Sequence, residues 1–235
     1  MENYQNFLHR INSFETMEMN LGTEKFVGNP SLVKKVNTNN EFRPFYGDTV
    51  VFHLHETVKR KLAEWLDVFY TEASECFCER LGSDTFHMTL HDLSNSEQLS
   101  DISDEREQNK DRVLEKLKEL PNFGTIKMRS SYIFNMVNTS LVLGLYPVDE
   151  AEYEKLMGLY SVFDDIKQLN YPLTPHITLA YYNVNGFSAE AVKKLEKLVY
   201  KLNSSETEVG LEVELHRALL CYQWFNSMNE YVDIG

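Results

Sequence analysis

Cysteine is scarce: Cys76, Cys78 and Cys221 are the only three in 235 residues. Their count is odd, and the Cys-x-Cys spacing of the first two is not a C-x-x-C redox or zinc signature. They read as free thiols in a reducing cytosol. Positive charge is also short. Against 36 Asp and Glu stand 23 Lys and Arg, a formal net charge of −13. Binding along DNA or RNA depends on Lys and Arg neutralising phosphates, so long nucleic acid is disfavoured as a partner. A small nucleotide in a local pocket needs only a few cationic groups and stays open. No apolar run approaches the roughly 18 residues of a membrane span. The most apolar stretch, SLVLGLYPV at 140–148, reads as a buried strand. The segment MENYQNFLHRINSFETMEMN lacks the apolar core of a secretory signal, so a cytoplasmic location is expected.

What is present is a globular composition, 43% hydrophobic, enough for a sizeable core. The length suits one compact unit of two fused lobes. Residues 1–47 are polar, Asn-rich and weakly periodic, and read as an extension laid over the domain. Residues 48–235 read as the domain itself. Strand patterns fall at 48–55, 86–93, 124–136, 140–148 and 175–182, and helical ones at 56–73, 103–120, 149–166 and 188–202. On the first helix Val58, Leu62, Trp65, Leu66 and Phe69 share a face. Asp149 and Ser188 stand as N-caps of the last two. Residues 207–225 are strand-rich and are expected to fold back as a pair.

The order strand–helix–strand–helix–strand occurs twice, an internal repeat. VLEKLKEL in the first half echoes KLEKLVYKL in the second. The expected class is α+β: two pseudo-twofold-related lobes, roughly 48–136 and 137–225 and interleaved. Each lobe is expected to be an antiparallel sheet with outer helices, facing its partner across a central cleft.

The chemistry sits at equivalent points of the repeat. Side chains alternate along a strand, so FHMTLHDL (86–93) should present His87, Thr89 and His91 on one face. PHITLAYY (175–182) should present His176, Thr178, Ala180 and Tyr182. One His-x-Thr is weak evidence, because a lone half-buried histidine is more often structural. Two copies of His-apolar-Thr-Leu at equivalent places favour function. With a pKa near 6.5, one imidazole can take a proton from the attacking oxygen and the other can give one to the leaving oxygen. The threonine hydroxyls can bond the non-bridging oxygens of a phosphoryl group. This scheme needs no metal and no cofactor.

The paired motifs FHMTL and TPHITLA resemble those of the 2H phosphoesterase superfamily. That superfamily includes the LigT-like 2′–5′ RNA ligase/phosphodiesterases and the cyclic nucleotide phosphodiesterases. The likeness spans roughly residues 48–225, and PFYGDTV (44–50) is similar to an uncharacterised bacterial branch. The resemblance implies a catalytic pair, His87 and His176, and phosphate-binding hydroxyls, Thr89 and Thr178. The expected activity is hydrolysis of a small phosphodiester, 2′,3′-cyclic or 2′–5′-linked. His91, where an apolar or small residue is expected, and the N-terminal extension depart from the pattern. Both bear on substrate choice.

Other readings compete. His53-x-His55, with His87 or His91, could hold a metal, but without a carboxylate cluster it ranks well behind metal-free catalysis. Tyr182, Tyr46 and Phe45 could stack on a base, Tyr182 being best placed by strand parity. Arg43, Lys127 or Arg129 could meet a phosphate. A non-catalytic nucleotide sensor and an RNA 3′-end processing nuclease are the alternative functions.

Overall fold

The computed structural model describes residues 2–17, 21, 22, 24–204 and 210–234. Its centre is an eight-stranded antiparallel sheet in the order β6-β3-β4-β5-β2-β1-β7-β8. The strands are β1 (Tyr46–His53), β2 (His87–Ser96), β3 (Thr125–Met136), β4 (Ser140–Pro147), β5 (His176–Tyr181), β6 (Glu212–His216), β7 (Leu220–Ser227) and β8 (Glu230–Asp233). The helices are α1 (Tyr4–Met17), α2 (Glu56–Glu72), α3 (Ser103–Glu119), α4 (Glu150–Ser161) and α5 (Ala189–Asn203).

The order is symmetric about its middle. From the β2/β5 seam, one half runs β2-β1-β7-β8 and the other β5-β4-β3-β6. In both halves the motif strand pairs with the strand that precedes it in the repeat. The third strand is exchanged: β3 follows the first repeat in sequence but lies beside β4, while β7 lies beside β1. The halves therefore interleave. This exchange overturns one expectation. The strands within 207–225 do not fold back on each other. Glu212 onward pairs with β3, and Leu220 onward with β1. Residues 207–209 of that segment lie outside the described residues.

The helical stripes go where their spacing points. Val58, Leu62, Trp65, Leu66 and Phe69 of α2 are all buried. Asp149 and Ser188 cap α4 and α5, accepting from the backbone N–H groups of Glu152 and Ala191. α4 ends at Ser161 rather than at 166, and the chain turns before Phe163 is buried.

The extension is helical where no helix was expected. α1 packs against β3, β4 and α4. Phe7 and Ile11 are buried, and Phe14 stacks on Phe134 at 4.7 Å between ring centroids.

Two features fix β1. Gly47 has no room for a side chain: a Cβ there would lie 2.2 Å from the Phe225 ring and 2.4 Å from the Ser94 carbonyl. Its neighbour Asp48, 1% exposed, ties four elements together. It accepts from Ser94 N (2.9 Å), Ser94 Oγ, Asn109 Nδ2 (3.1 Å) and Tyr222 OH (2.7 Å). Asp48→Ala strands several buried donors at once, each costing about 1–3 kcal/mol. A loss of about 3 kcal/mol in urea unfolding is the expected result, and a loss below about 1 kcal/mol would contradict this role.

Candidate active site

Met88 of β2 faces Ile177 of β5 across the seam. Antiparallel counting from that pair puts His87 opposite Thr178 and Thr89 opposite His176. All four side chains line one cavity of about 580 Å³. The repeat thus brings its two motifs side by side at the junction of the half-sheets, each histidine next to the other motif's threonine.

The two imidazoles are held alike. His87 Nδ1 lies 2.7 Å from the Thr85 carbonyl, and His176 Nδ1 lies 2.7 Å from the Thr174 carbonyl. A carbonyl only accepts, so Nδ1 carries the hydrogen in both rings and each neutral ring keeps its lone pair on Nε2. Neither Nε2 has a protein partner among the described residues. Burial pushes both rings below the ordinary histidine range, His87 to about 4, helped there by the nearby His53 and His176. Burial therefore favours the neutral form of both rings.

The other predicted site residues divide. His91 and Tyr182 do not line the cavity, and one cause removes both. β2 carries a bulge at Leu90 and β5 an equivalent one at Leu179, read from the jumps in register against β1 and β4. An extra residue reverses the faces of everything after it. His91, 1% exposed, turns into the helix layer, 4.8 Å from the Tyr160 ring, with Nε2 3.4 Å from Asp164 Oδ1. Tyr182 is buried against Phe26, Phe77 and Phe187. Their neighbours Asp92 and Tyr181 line the cavity instead.

Phe45 is buried behind the Phe225 ring, and Tyr46 is outside the cavity lining. Arg43, Lys127 and Arg129 are on the surface and outside the lining as well. His53 and His55 part company. His53 stays on the sheet opposite His87. His55 leaves it to cap α2 and meets the His216 ring at 5.0 Å.

Sequence reading missed the cation. Lys35, from the N-terminal extension, reaches the cavity and is the one Lys or Arg among its lining residues. Its Nζ lies 5.3 Å from both the Phe45 and Tyr181 rings. Burial lowers its pKa, and the charge of Asp92 opposes that shift. The extension also braces His176 from behind. Arg10 donates to Thr174 Oγ1 and to the Leu173 carbonyl, each at 2.9 Å, on the segment whose carbonyl holds His176. Tyr160, Tyr171, Phe225 and Tyr231 add aromatic surface to the walls. Tyr231 meets the His87 ring edge-on at 5.2 Å.

This antiparallel sheet of two matched halves is the fold of LigT-like proteins. A conserved protein of unknown function from Agrobacterium tumefaciens str. C58 matches with a TM-score of 0.63 at 17% identity, over 88% of this chain and 92% of that one. Apo LigT from E. coli matches with a TM-score of 0.50 at 14% identity, over 82% and 96%. TT0787 of Thermus thermophilus gives 0.50 at 14% identity, over 80% and 95%. At such identities it is the fold that is shared. No family profile and no curated protein matches the sequence. Among the described residues no helix is long and apolar enough to cross a membrane.

Proposed function

We propose that this chain is a phosphodiesterase that hydrolyses a small nucleotide phosphodiester, 2′,3′-cyclic or 2′–5′-linked, by two-histidine acid–base catalysis. The observation that carries the reading is the matched restraint of His87 and His176. Both give Nδ1–H to a backbone carbonyl and leave the Nε2 lone pair available beside the other motif's threonine. A pocket that only bound nucleotide would not need two imidazoles fixed in one tautomer, which favours turnover over the sensor reading.

In the proposed step, one neutral Nε2 takes a proton from water as the water oxygen attacks phosphorus. The other ring, protonated, gives its Nε2 proton to the leaving ester oxygen as the P–O bond breaks. Thr89 and Thr178 donate to the non-bridging oxygens, and Lys35 offsets the charge growing there. The aromatic walls suit a base or ribose. A cavity of about 580 Å³ fits a mononucleotide or short linkage, and the net charge of −13 disfavours long RNA.

The pH dependence follows from burial. The kcat/KM profile reports the free enzyme, which must hold one neutral and one protonated imidazole. Both rings titrate below the ordinary 6.5, so the singly protonated pair is most abundant below that value. A bell with its maximum on the acid side of about pH 6.5 is expected. It falls at lower pH as the base is protonated and at higher pH as the acid is lost. The anionic substrate raises both pKa values once bound, so the kcat profile lies at higher pH. The test is turnover of a panel of 2′,3′-cyclic and 2′–5′-linked nucleotides with EDTA present. Tight binding without product would favour the sensor. Activity confined to oligonucleotides and falling steeply with salt would favour RNA-end processing.

A further inference from the structure

Three side chains outside the proposed chemistry converge where β1, β7 and β8 lie side by side. His53 Nε2 is 3.1 Å from Asp233 Oδ1, Cys221 Sγ is 3.2 Å from His53 Nε2, and Cys221 Sγ is 3.5 Å from the same Asp233 oxygen. We propose that His53, Cys221 and Asp233 form a binding site for a divalent, zinc-like cation that fastens the last strand to the sheet.

The geometry supports this directly. With Zn–S near 2.3 Å and Zn–N and Zn–O near 2.0–2.2 Å, tetrahedral angles put ligand atoms about 3.3–3.6 Å apart. The three observed separations lie within a few tenths of an ångström of that. The ligands stand on three neighbouring strands, so the triangle is held by the sheet's own hydrogen bonds.

Gln223 is the second observation. It is 3% exposed, and its Nε2 donates to Asp233 Oδ1 at 3.0 Å, which orients the carboxylate as a supporting residue does around a metal. Its Oε1 is buried with no hydrogen-bond partner among the described residues. A water on the open fourth position of the cation is a donor that such an oxygen can accept. Thiolate with imidazole selects zinc-like ions over Mg²⁺ and Ca²⁺. The Asp233 carboxylate supplies negative charge that attracts a cation.

The site has a structural consequence for the cavity. β8 carries Tyr231, which packs on His87, so a cation that ties β8 to β1 and β7 steadies that wall. None of its ligands belongs to the H-x-T motifs, and its test does not read turnover. The inference therefore stands or falls apart from the proposed activity.

The test is titration of the metal-free protein with Co²⁺, followed in the near ultraviolet. One equivalent should produce a thiolate-to-cobalt charge-transfer band that Zn²⁺ displaces. Cys221→Ser should abolish the band, and Cys76→Ser/Cys78→Ser should keep it. Asp233→Asn should weaken binding at least about 10-fold, and Zn²⁺ should raise the Tm of the wild type but not of Cys221→Ser. No band in the wild type, or a band that persists in Cys221→Ser, would overturn the proposal.

Discussion

Replacing either His87 or His176 with alanine should lower kcat/KM on the responsive phosphodiester by ~10²–10⁴-fold, the range of a lost proton-transfer group. Both single variants should fall this far, because each ring holds one end of the same displacement. The double variant should fall little further, since groups that act as a unit are not additive. Folding should survive. Both rings keep an edge open to the cavity, and removing one unpairs only the Thr85 or Thr174 carbonyl. If His176→Ala kept kcat/KM within a few-fold of wild type, the assignment would collapse.

Lys35→Met should lower kcat by ~10²-fold, comparable to losing one donor to a developing oxyanion, while the folded state becomes no less stable. The two effects have one origin. The Lys35 ammonium sits half-buried beside the Phe45 and Tyr181 rings, burial lowers its pKa, and no carboxylate lies within ion-pair distance of it among the described residues. Without substrate that charge costs the fold; with an anion in the cavity it is compensated. Methionine keeps the packing of the stem and removes the charge. Unchanged kcat would remove Lys35 from the proposed machinery. A fall in Tm of several degrees would show that its cationic head is structural.

Much of the arrangement was legible because it rests on local periodicity. The α2 face, the caps Asp149 and Ser188, and the doubled His-x-Thr all follow from residue spacing. The order of strands did not follow, since nothing local says that β3 and β7 exchange halves. Face assignments failed beyond Leu90 and Leu179, where one extra residue in each strand reverses parity. Both bulges follow His-x-Thr-Leu, so His91 and Tyr182 were misplaced for one reason, and Asp92 and Tyr181 took their places. α1 had a signal that was overlooked. Tyr4, Phe7, Leu8, Ile11 and Phe14 keep helical spacing within a polar composition. Lys35 had none: it lies far from either motif in sequence and reaches the cavity only through the path of the extension.

The central claim is that one phosphoryl group is held between the two motifs. A crystal structure with a non-hydrolysable cyclic phosphodiester analogue tests it most directly. The account predicts phosphorus at the seam, with both Nε2 atoms, of His87 and His176, and both hydroxyls, of Thr89 and Thr178, in hydrogen-bond reach of its oxygens, and with Lys35 turned toward it. A phosphoryl group seated elsewhere, or one that meets neither Nε2, would contradict it.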